Sequence, residues 1–206
     1  MLFRSDGGSP LYIASRVGRG GELFRMLKLR SMRIDSDKTG VTTTTASDDR
    51  VTPIGNVVRR FKLDELMQFA NVLKGEMSVV GPRPQVQSAV DDYTPAERGL
   101  LDARPGITDF SSIVFADEGD ILAGSDDPDG DYDRIIRPWK SRLGLFYNQR
   151  RSLPTDLRLI ALTALALVSR PRALQGVSAL LDRLGADLEL VEVARRAGEI
   201  PIKALP

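Results

Sequence analysis

The chain falls into two parts that differ in how often glycine and proline interrupt it. From Arg134 onward, apolar residues recur at helical spacing, and the pattern predicts helices over about Arg134–Gln149, Thr155–Ser169, Ala173–Leu184 and Asp187–Ala197. Before Arg134, Gly and Pro divide the chain into short segments. The sequence therefore predicts the α/β (α+β) class: a helix-rich single domain with a small N-terminal β-hairpin and C-terminal amphipathic helices.

The first part of the chain predicts the hairpin, a loop and two helices. Leu11–Ser15 and Glu22–Arg30 flank a Gly-rich stretch, as two strands flank a turn. Ser36–Arg50 is polar and is predicted to be a loop, and a short helix is predicted over Ile54–Phe61. A second helix is predicted over Leu63–Leu73, because its apolar residues share one helical face. These residues are Leu63, Leu66, Met67, Ala70 and Leu73.

The middle of the chain predicts only short elements. Gly81–Pro84 must be an extended turn, because two prolines and a glycine forbid a helix. Gln85–Tyr93 and Pro95–Ala103 are predicted to be short helices. Asp117–Asp133 carries eight carboxylates and no basic residue, and is predicted to be a solvated acidic loop. The last ten residues are expected to fray.

Two residue types are missing, and their absence restricts the chemistry. None of the 206 residues is cysteine, which excludes disulfides, thiolate nucleophiles and Cys-type metal sites. None is histidine, which excludes Ser–His triads, His–metal sites and imidazole bases. Catalysis must then use carboxylates, Lys and Arg, hydroxyls, backbone amides and hard metal ions, which favours Mg²⁺-type phosphoryl chemistry.

No membrane-spanning helix is predicted from the sequence. The longest apolar stretch, Leu159–Val168, is about half of the roughly 20 residues that a spanning helix needs. Arg4 and Asp6 interrupt any secretory signal. The Leu- and Arg-rich stretch Leu157–Leu184 could pack on the domain, or lie in a membrane interface with its arginines at headgroup level.

Asp64 and Glu65 are the first candidate site. Two neighbouring carboxylates cooperate most readily at a helix start, where free N–H groups and the positive dipole end favour carboxylates and bind phosphates. The upstream residues Arg59, Arg60 and Lys62 could hold a diphosphate there. On this local pattern alone, a helix cap followed by a solvated first-turn acid explains the pair more simply.

Several arginines are candidate phosphate ligands. Arg83 and Arg104 adjoin prolines, whose rigidity pre-organises a guanidinium for bidentate phosphate recognition. A structural turn whose arginine pairs with a nearby carboxylate is the alternative. The predicted hairpin is basic as well, with Arg30 among its cations, which suits a nucleotide diphosphate or a membrane as well as a solvated edge strand.

Three segments, in this order along the chain, resemble the bacterial sugar transferase family. They are Gly8–Met32 (GGSPLYIASRVGRGGELFRMLKLRSM), Ile54–Pro84 (IGNVVRRFKLDELMQFANVLKGEMSVVGPRP) and Arg104–Thr108 (RPGIT). The resemblance is closest over about residues 8–110, and the LDEL…NVLKGEMSVVGPRP block is very specific. Members of this family are polyprenyl-phosphate phosphoglycosyl transferases of the monotopic type.

The resemblance implies an activity and a set of site residues. It implies transfer of a sugar-1-phosphate from a UDP-sugar to undecaprenyl phosphate, with release of UMP, use of Mg²⁺ and a location on the cytoplasmic face of the bacterial inner membrane. Carried over, Asp64 is the nucleophile that forms an aspartyl–phosphosugar intermediate, and Glu65 is its supporting acid. Both would help hold Mg²⁺. The predicted phosphate ligands are Arg83, Arg104, Lys62, Arg60 and Arg30.

The resemblance also implies a domain organisation. Residues 1–150 would be the catalytic domain, and residues 151–206 a helical, membrane-associating extension of the same domain. In the family, a hydrophobic membrane helix normally precedes the segment that matches Gly8–Met32. The sequence begins almost at that point, so we expect either a truncated piece or a form that binds the membrane peripherally.

Two departures from the family pattern lie downstream. Many members continue the RPGIT motif with Gly-Trp-Ala-Gln, whereas Asp109-Phe110-Ser111-Ser112 follows here, and Gly144 stands where many carry an aspartate. These departures bear on the acceptor, the sugar preference and part of the metal site. A non-catalytic, nucleotide-sugar-binding member is the alternative function. Nucleic-acid binding is not expected, because the net charge is only +1 and no RNA-binding motif is present.

Overall fold

The computed structural model describes residues 8–36 and 48–206, so most of the predicted loop Ser36–Arg50 lies outside the described residues. Its strands are β1 (Leu11–Val17), β2 (Leu23–Leu29), β3 (Ser78–Val80) and β4 (Gly106–Thr108). Its shorter helices are α1 (Pro53–Arg60), α2 (Gln68–Leu73), α3 (Gln87–Asp91), α4 (Phe110–Val114), α5 (Glu118–Ile121) and α6 (Pro128–Asp131). The C-terminal helices are α7 (Arg137–Arg150), α8 (Leu153–Val168), α9 (Arg170–Arg183) and α10 (Leu188–Arg195). Turns of 3₁₀ helix lie at Arg19–Gly21, Leu63–Glu65 and Glu97–Asp102, and a π-helical turn at Tyr132–Ile136.

The N-terminal hairpin and the helix-rich fold class are confirmed. Strands β1 and β2 pair antiparallel, with Leu11 opposite Leu29 and Val17 opposite Leu23. The turn between them uses glycines with positive φ, a conformation that other residues rarely adopt. One face of the hairpin packs on Met77, burying Ala14, Phe24 and Met26.

The single helix predicted over Leu63–Leu73 is wrong. The chain forms a 3₁₀ turn at Leu63–Glu65 and a separate short helix, α2. Of the predicted apolar face, Leu63, Leu66 and Leu73 are exposed, Leu73 to 90%, and Met67 and Ala70 are only half-buried. Gln68 and Asn71, by contrast, are buried. Asn71 is buried because its side chain bonds to β2: its Oδ1 accepts from the Leu27 N–H at 3.0 Å, and its Nδ2 donates to the Arg25 carbonyl at 2.8 Å.

A parallel pair of strands was not predicted. Strand β3 pairs with β4, which places Val80 beside Thr108. Both strands have only three residues, too few for a period-2 pattern to be recognised in the sequence. Gly81 and Gly106 allow the approach, since a Cβ on Gly106 would lie 2.1 Å from the Gly81 nitrogen. The turn Gly81–Pro84 (the GPRP turn) therefore lies against the RPGIT segment, Arg104–Thr108.

The main hydrophobic core lies among the C-terminal helices. Helix α7 crosses α4, and α8, α9 and α10 pack beside them. The core residues with no more than 2% exposure include Phe110, Trp139, Leu143, Leu159 and Leu181. One continuous cluster thus joins residues on both sides of position 150.

The predicted solvated loop Asp117–Asp133 is wrong in part. It contains α5 and α6, and Leu122 between them is 1% exposed. Its Asp117 carboxylate accepts from Arg170 Nη2 at 2.6 Å and from Arg196 Nη2 at 3.0 Å. Ion pairs with basic residues far away in the sequence therefore hold this acidic segment in place. The local sequence gives no sign of these partners.

The prediction that the last ten residues fray is also wrong. The Trp139 indole N–H donates to the Pro201 carbonyl at 2.7 Å, and the Thr94 hydroxyl donates to the Pro206 carbonyl at 2.8 Å. Lys203 pairs with Glu189. The C-terminal segment is thus bound to α7, α10 and the loop before the 3₁₀ turn Glu97–Asp102.

Over residues 8–36 and 48–206, none of the helices is both long and apolar enough to span a membrane.

Candidate active site

Asp64 and Glu65 lie in a three-residue 3₁₀ turn that follows α1 directly. Lys62 precedes the turn with φ 53° and ψ 26°, in the left-handed region, and so ends the helical path of α1. The turn is not the regular helix start that the sequence predicted, and the Glu65 N–H donates to the Lys62 carbonyl at 3.2 Å. Glu65 is buried at 8% exposure, whereas Asp64 is half-buried.

Glu65 forms an ion pair with Arg83, which lies 18 residues away in the GPRP turn. Arg83 Nη2 donates to Glu65 Oε1 at 2.5 Å. Burial is the largest single influence on Glu65 and by itself would raise its pKa. The charge and the hydrogen bond of Arg83, together with the charges of Lys62 and Lys28, outweigh burial and lower that pKa to about 2. The Glu65 carboxylate in turn raises the pKa of Arg83. Both groups therefore carry their charges at neutral pH.

Asp64 has the opposite shift. Burial raises the pKa of Asp64 above its ordinary value, and the neighbouring Glu65 charge raises it further. Of the two adjacent carboxylates, Asp64 is thus the more basic and the one without a guanidinium partner among the described residues. A higher basicity favours Asp64 as the nucleophile.

Lys28, which the sequence placed only among the general cations of the hairpin, lines the site. It lies on β2 at even spacing from Phe24 and Met26, the two buried residues of that strand, so its side chain points to the same inner face. Burial lowers the pKa of Lys28 to about 8, and the Arg83 charge also lowers it. The alternation of β2 was the signal that could have identified it.

These residues line one cleft of about 600 Å³. Around the two carboxylates, the cleft wall carries five cations: Arg16, Lys28, Arg59, Lys62 and Arg83. Burial lowers the pKa of Lys62, as it does for Arg16 and Arg59, because these cations share a poorly solvated region. Five cations around two carboxylates give this wall a local excess of positive charge, which suits a diphosphate. Over its whole lining the cleft has seven cations and six carboxylates.

The opposite wall of the cleft comes from the acidic segment and α7. It includes Glu118, Asp129, Tyr132, Asp133 and Lys140. Lys140 pairs with Glu118 and lies 5.1 Å from the centre of the Tyr132 ring. The predicted acidic loop therefore contributes a wall of the site, a role that no local pattern suggested.

Three of the predicted phosphate ligands do not line this cleft. Arg104 is exposed, and Arg60 is exposed with its guanidinium carbon 5.9 Å from the centre of the Phe61 ring. Arg30 donates from Nε to the Ser9 carbonyl at 2.7 Å. The structure thus brings together Asp64, Glu65, Lys62 and Arg83 of the predicted set, and places the other three elsewhere.

A magnesium site would have two adjacent carboxylates available. Among the described residues, no group of three or more Asp, Glu, His or Cys side chains is arranged to hold a metal ion. Mg²⁺ is usually bound by one or two carboxylates together with substrate phosphates. Asp64 and Glu65 fit that mode when a diphosphate lies between them and the surrounding cations.

The profile of the bacterial sugar transferase family matches residues 1–170. A galactosyl transferase, CpsE of Streptococcus agalactiae, is 34% identical over 171 residues, covering 78% of this chain and 35% of that protein. A UDP-glucose:undecaprenyl-phosphate glucose-1-phosphate transferase of Caulobacter vibrioides is 42% identical over 110 residues, covering 52% and 41%. An Aeromonas hydrophila UDP-N-acetylgalactosamine-undecaprenyl-phosphate N-acetylgalactosaminephosphotransferase is 40% identical over 110 residues, covering 52% and 26%. The chain therefore spans less than half the length of each of these relatives.

Proposed function

This chain belongs to the bacterial sugar transferase family, and we propose that it transfers a sugar-1-phosphate from a UDP-sugar to undecaprenyl phosphate. The observation that carries the proposal is the cleft, where Asp64, a carboxylate of raised pKa, lies among five cations next to the Arg83–Glu65 pair. The names of the Caulobacter and Aeromonas relatives, which specify this donor and acceptor chemistry, support it.

The first proposed step is a substitution at phosphorus. A carboxylate oxygen of Asp64 attacks the sugar-bearing phosphorus of the donor, and the bond from that phosphorus to the bridging oxygen breaks. UMP leaves with the bonding electrons, and an aspartyl–phosphosugar remains on the protein. In the second step, an oxygen of undecaprenyl phosphate attacks the same phosphorus and releases the Asp64 carboxylate.

The surrounding residues hold the phosphates and stabilise the charge that moves to the leaving group. Arg83 is oriented by Glu65, so its remaining N–H groups are pre-organised for a phosphate. Lys28 and Lys62 supply charge from the hairpin and from the residue before the turn. Glu65, whose pKa is about 2, remains ionised and acts as the positioning residue for Arg83.

We propose Mg²⁺ as the cofactor, held by Asp64 and Glu65. When bound, the ion would neutralise phosphate oxygens and stabilise the departing phosphate. Arg83 and Lys28 would hold the remaining phosphate oxygens, and they would do so without any proton transfer.

We propose that the protein lies on the cytoplasmic face of the inner membrane, and that an exposed apolar surface contacts the lipid. Along α1, the 3₁₀ turn and α2 this surface contains Val57, Phe61, Leu63, Leu66, Phe69 and Leu73. Helix α8 exposes a second apolar stripe that contains Leu153, Leu157, Ile160, Leu167 and Val168. Both α2 and α8 contact β3. Large apolar side chains clustered at the surface of a monomer often mark an interaction site, and the lipid acceptor supplies a reason for that site to be a membrane.

The deciding experiment is UMP release in detergent or lipid, with undecaprenyl phosphate, Mg²⁺ and a panel of UDP-sugars. The wild-type protein is expected to release UMP, and Asp64→Asn is expected to release none. Glu192→Gln, which removes an exposed carboxylate of α10 away from the cleft, serves as the control. Equal UMP release by Asp64→Asn would refute the nucleophile assignment.

A second measurement tests the covalent intermediate. The protein is incubated with donor and without acceptor, and its intact mass is recorded. We expect an increase by the mass of one phosphosugar in the wild type and none in Asp64→Asn. UDP-sugar binding without UMP release or mass change would instead establish a non-catalytic nucleotide-sugar-binding protein.

A further inference from the structure

A small recess opens beside the cleft at Arg83, and its volume is about 70 Å³. It shares Arg83, Tyr132, Arg137 and Lys140 with the cleft, so the two spaces are adjacent. Because a cavity of about 150 Å³ holds one benzene ring, a volume of 70 Å³ has room for about three non-hydrogen atoms. This is too little for a hexose ring and enough for one substituent on such a ring.

Gly144 sets the shape of the recess. It lies in the middle of α7, where glycine costs about 1 kcal/mol relative to alanine, so its presence requires a reason. A Cβ on Gly144 would lie 2.7 Å from Leu100 Cδ2 and 3.7 Å from Pro82 Cβ. Leu100 and Pro82 also line the recess. Any side chain at position 144 would therefore reduce this space.

The cations that line the recess are already paired with carboxylates. Arg83 pairs with Glu65, Lys140 pairs with Glu118, and Arg137 donates from Nη2 to the buried Glu97 Oε2 at 3.0 Å. Arg137 uses its N–H groups on Glu97, Asp133 and the Asp92 carbonyl, and Lys140 pairs with Glu118, so these two cations offer little to an additional anion. Arg83 uses only Nη2 on Glu65 and keeps its other N–H groups for the phosphate at the boundary with the cleft. The recess therefore suits a neutral polar group rather than a phosphate or a carboxylate.

Its lining offers both kinds of hydrogen-bonding partner. The Ser141 hydroxyl donates to Glu97 Oε1 at 2.7 Å, and the Ser111 hydroxyl donates to Asp109 Oδ2 at 2.8 Å. Because both hydrogens are used, each oxygen can accept a bond from an N–H group. Arg83 has further N–H donors for a carbonyl oxygen.

The rest of the lining is of two kinds: apolar or aromatic side chains, from Pro82, Ala89, Tyr93, Leu100 and Tyr132, and the polar side chains of Gln85, Asp109 and Asp133. An ionised carboxylate accepts hydrogen bonds and donates none. A group that fits must therefore combine an N–H, a carbonyl and a methyl within a few non-hydrogen atoms. An acetamido group has this combination, whereas a hydroxyl leaves most of the recess unfilled.

We propose that the recess receives the acetamido group of an N-acetylated sugar on the nucleotide donor. This inference rests on the proposed function, because the sugar-bearing phosphate would lie at Arg83, where the recess meets the cleft. The names of the relatives do not choose the sugar, since they include galactosyl, glucose and N-acetylgalactosamine transferases.

The test compares matched donors that differ only at the acetamido group. Dissociation constants are measured for UDP-glucose against UDP-N-acetylglucosamine, and for UDP-galactose against UDP-N-acetylgalactosamine. With one methyl buried and one hydrogen bond gained, at least one acetylated donor is expected to bind about tenfold to thirtyfold more tightly. UMP release is then measured with the same four donors.

Two variants reduce the recess at residues that do not line the cleft, so that misfolding of one does not decide the result. Gly144→Val fills it from α7, and Leu100→Phe fills it from the 3₁₀ turn Glu97–Asp102. Ala179→Leu, on the exposed face of α9 and away from the recess, is the matched control. In both filling variants, the preference for the acetylated donor is expected to fall to about threefold or less, while the non-acetylated donor still binds. The control is expected to retain the full preference.

The outcomes separate this inference from the proposed function. Equal binding of both members of each donor pair by the wild type overturns the inference, whether or not UMP is released. An unchanged preference in both filling variants also overturns it. A preference that depends on the recess, without UMP release from any donor, supports the inference and refutes the activity. Failure to bind any UDP-sugar refutes both.

Discussion

Replacing Glu65 with glutamine tests whether its charge holds Arg83 in place. Glu65→Gln keeps the shape of the side chain and removes the charge that Arg83 contacts at 2.5 Å. The pKa of Glu65 falls from 4.5 to about 2 in the folded protein. At about 1.4 kcal/mol per pKa unit, this corresponds to roughly 3 kcal/mol. The Arg83 side chain is 33% exposed, so solvent screens the pair, and we expect Glu65→Gln to lose about 2 kcal/mol at pH 7.

The lowered pKa of Glu65 also determines how the stability lost in Glu65→Gln depends on pH. Because the folded pKa of Glu65 is lowered, its charge stabilises the fold fully above pH 4.5, and this contribution disappears as the pH falls through about 2. The difference in unfolding free energy between wild type and Glu65→Gln is therefore expected to shrink from about 2 kcal/mol at pH 7 toward zero near pH 2.

Urea unfolding from pH 7 down to the lowest pH at which both proteins remain folded measures this difference. The exposed Glu192→Gln is the control for a general charge effect. The double variant Glu65→Gln/Arg83→Met is expected to recover part of the loss, since it leaves no unpaired buried charge. A loss below about 0.5 kcal/mol at pH 7, or one that does not change with pH, would mean that Glu65 does not act through Arg83.

Three further predictions concern the chemistry, the fold and the membrane. Activity is expected to fall at acid pH as Asp64 becomes protonated, at a pH above the range in which an ordinary aspartate titrates. Activity is also expected to fall at alkaline pH, near pH 8, as Lys28 loses its charge. Lys28→Arg is expected to move only the alkaline limb to higher pH, and an unmoved limb would exclude Lys28 as its source. Asn71→Leu is expected to cost about 3 kcal/mol in thermal or urea unfolding, because two backbone groups of β2 lose their partner, and a loss under about 1 kcal/mol would contradict this. Leu73→Asp is expected to leave stability unchanged and to weaken sedimentation with anionic vesicles. The control Gln175→Asp, on the exposed face of α9, is expected to change neither. Equal vesicle binding by both variants would argue against membrane contact through the apolar surface.

Much of the local architecture followed from local patterns. The hairpin was predictable because its two apolar strands are joined by glycines, and Gly20 and Gly21 do adopt positive φ. The helices after residue 134 were predictable from apolar spacing, as was the break at Arg151–Ser152. The two three-residue strands were not predictable, because their pairing depends on the close approach of Gly81 and Gly106, which are 25 positions apart.

Hydrophobic periodicity gave the wrong orientation for the segment Leu63–Leu73. Periodicity identifies which face of a helix is apolar. That apolar face is usually assigned to the hydrophobic core, because the other environment considered for it is water. Here Asn71 bonds to β2, and Glu65 pairs with Arg83, so the polar face is buried by specific bonds. Most of the apolar face then remains exposed, and it forms part of the surface that we propose to contact lipid.

The sequence by itself determined the chemical groups that could act: an adjacent Asp64–Glu65 pair, a rigid Arg83, and no cysteine or histidine among 206 residues. The adjacency of two residues and the composition are properties of the covalent chain, so they do not depend on how the chain folds. Only the tertiary structure decided that Glu65 orients Arg83, that Lys28 faces Asp64 and that Gly144 borders a recess. The pKa shifts that distinguish Asp64 from Glu65 also arise there, because burial and the distance between charges exist only after distant segments have packed together.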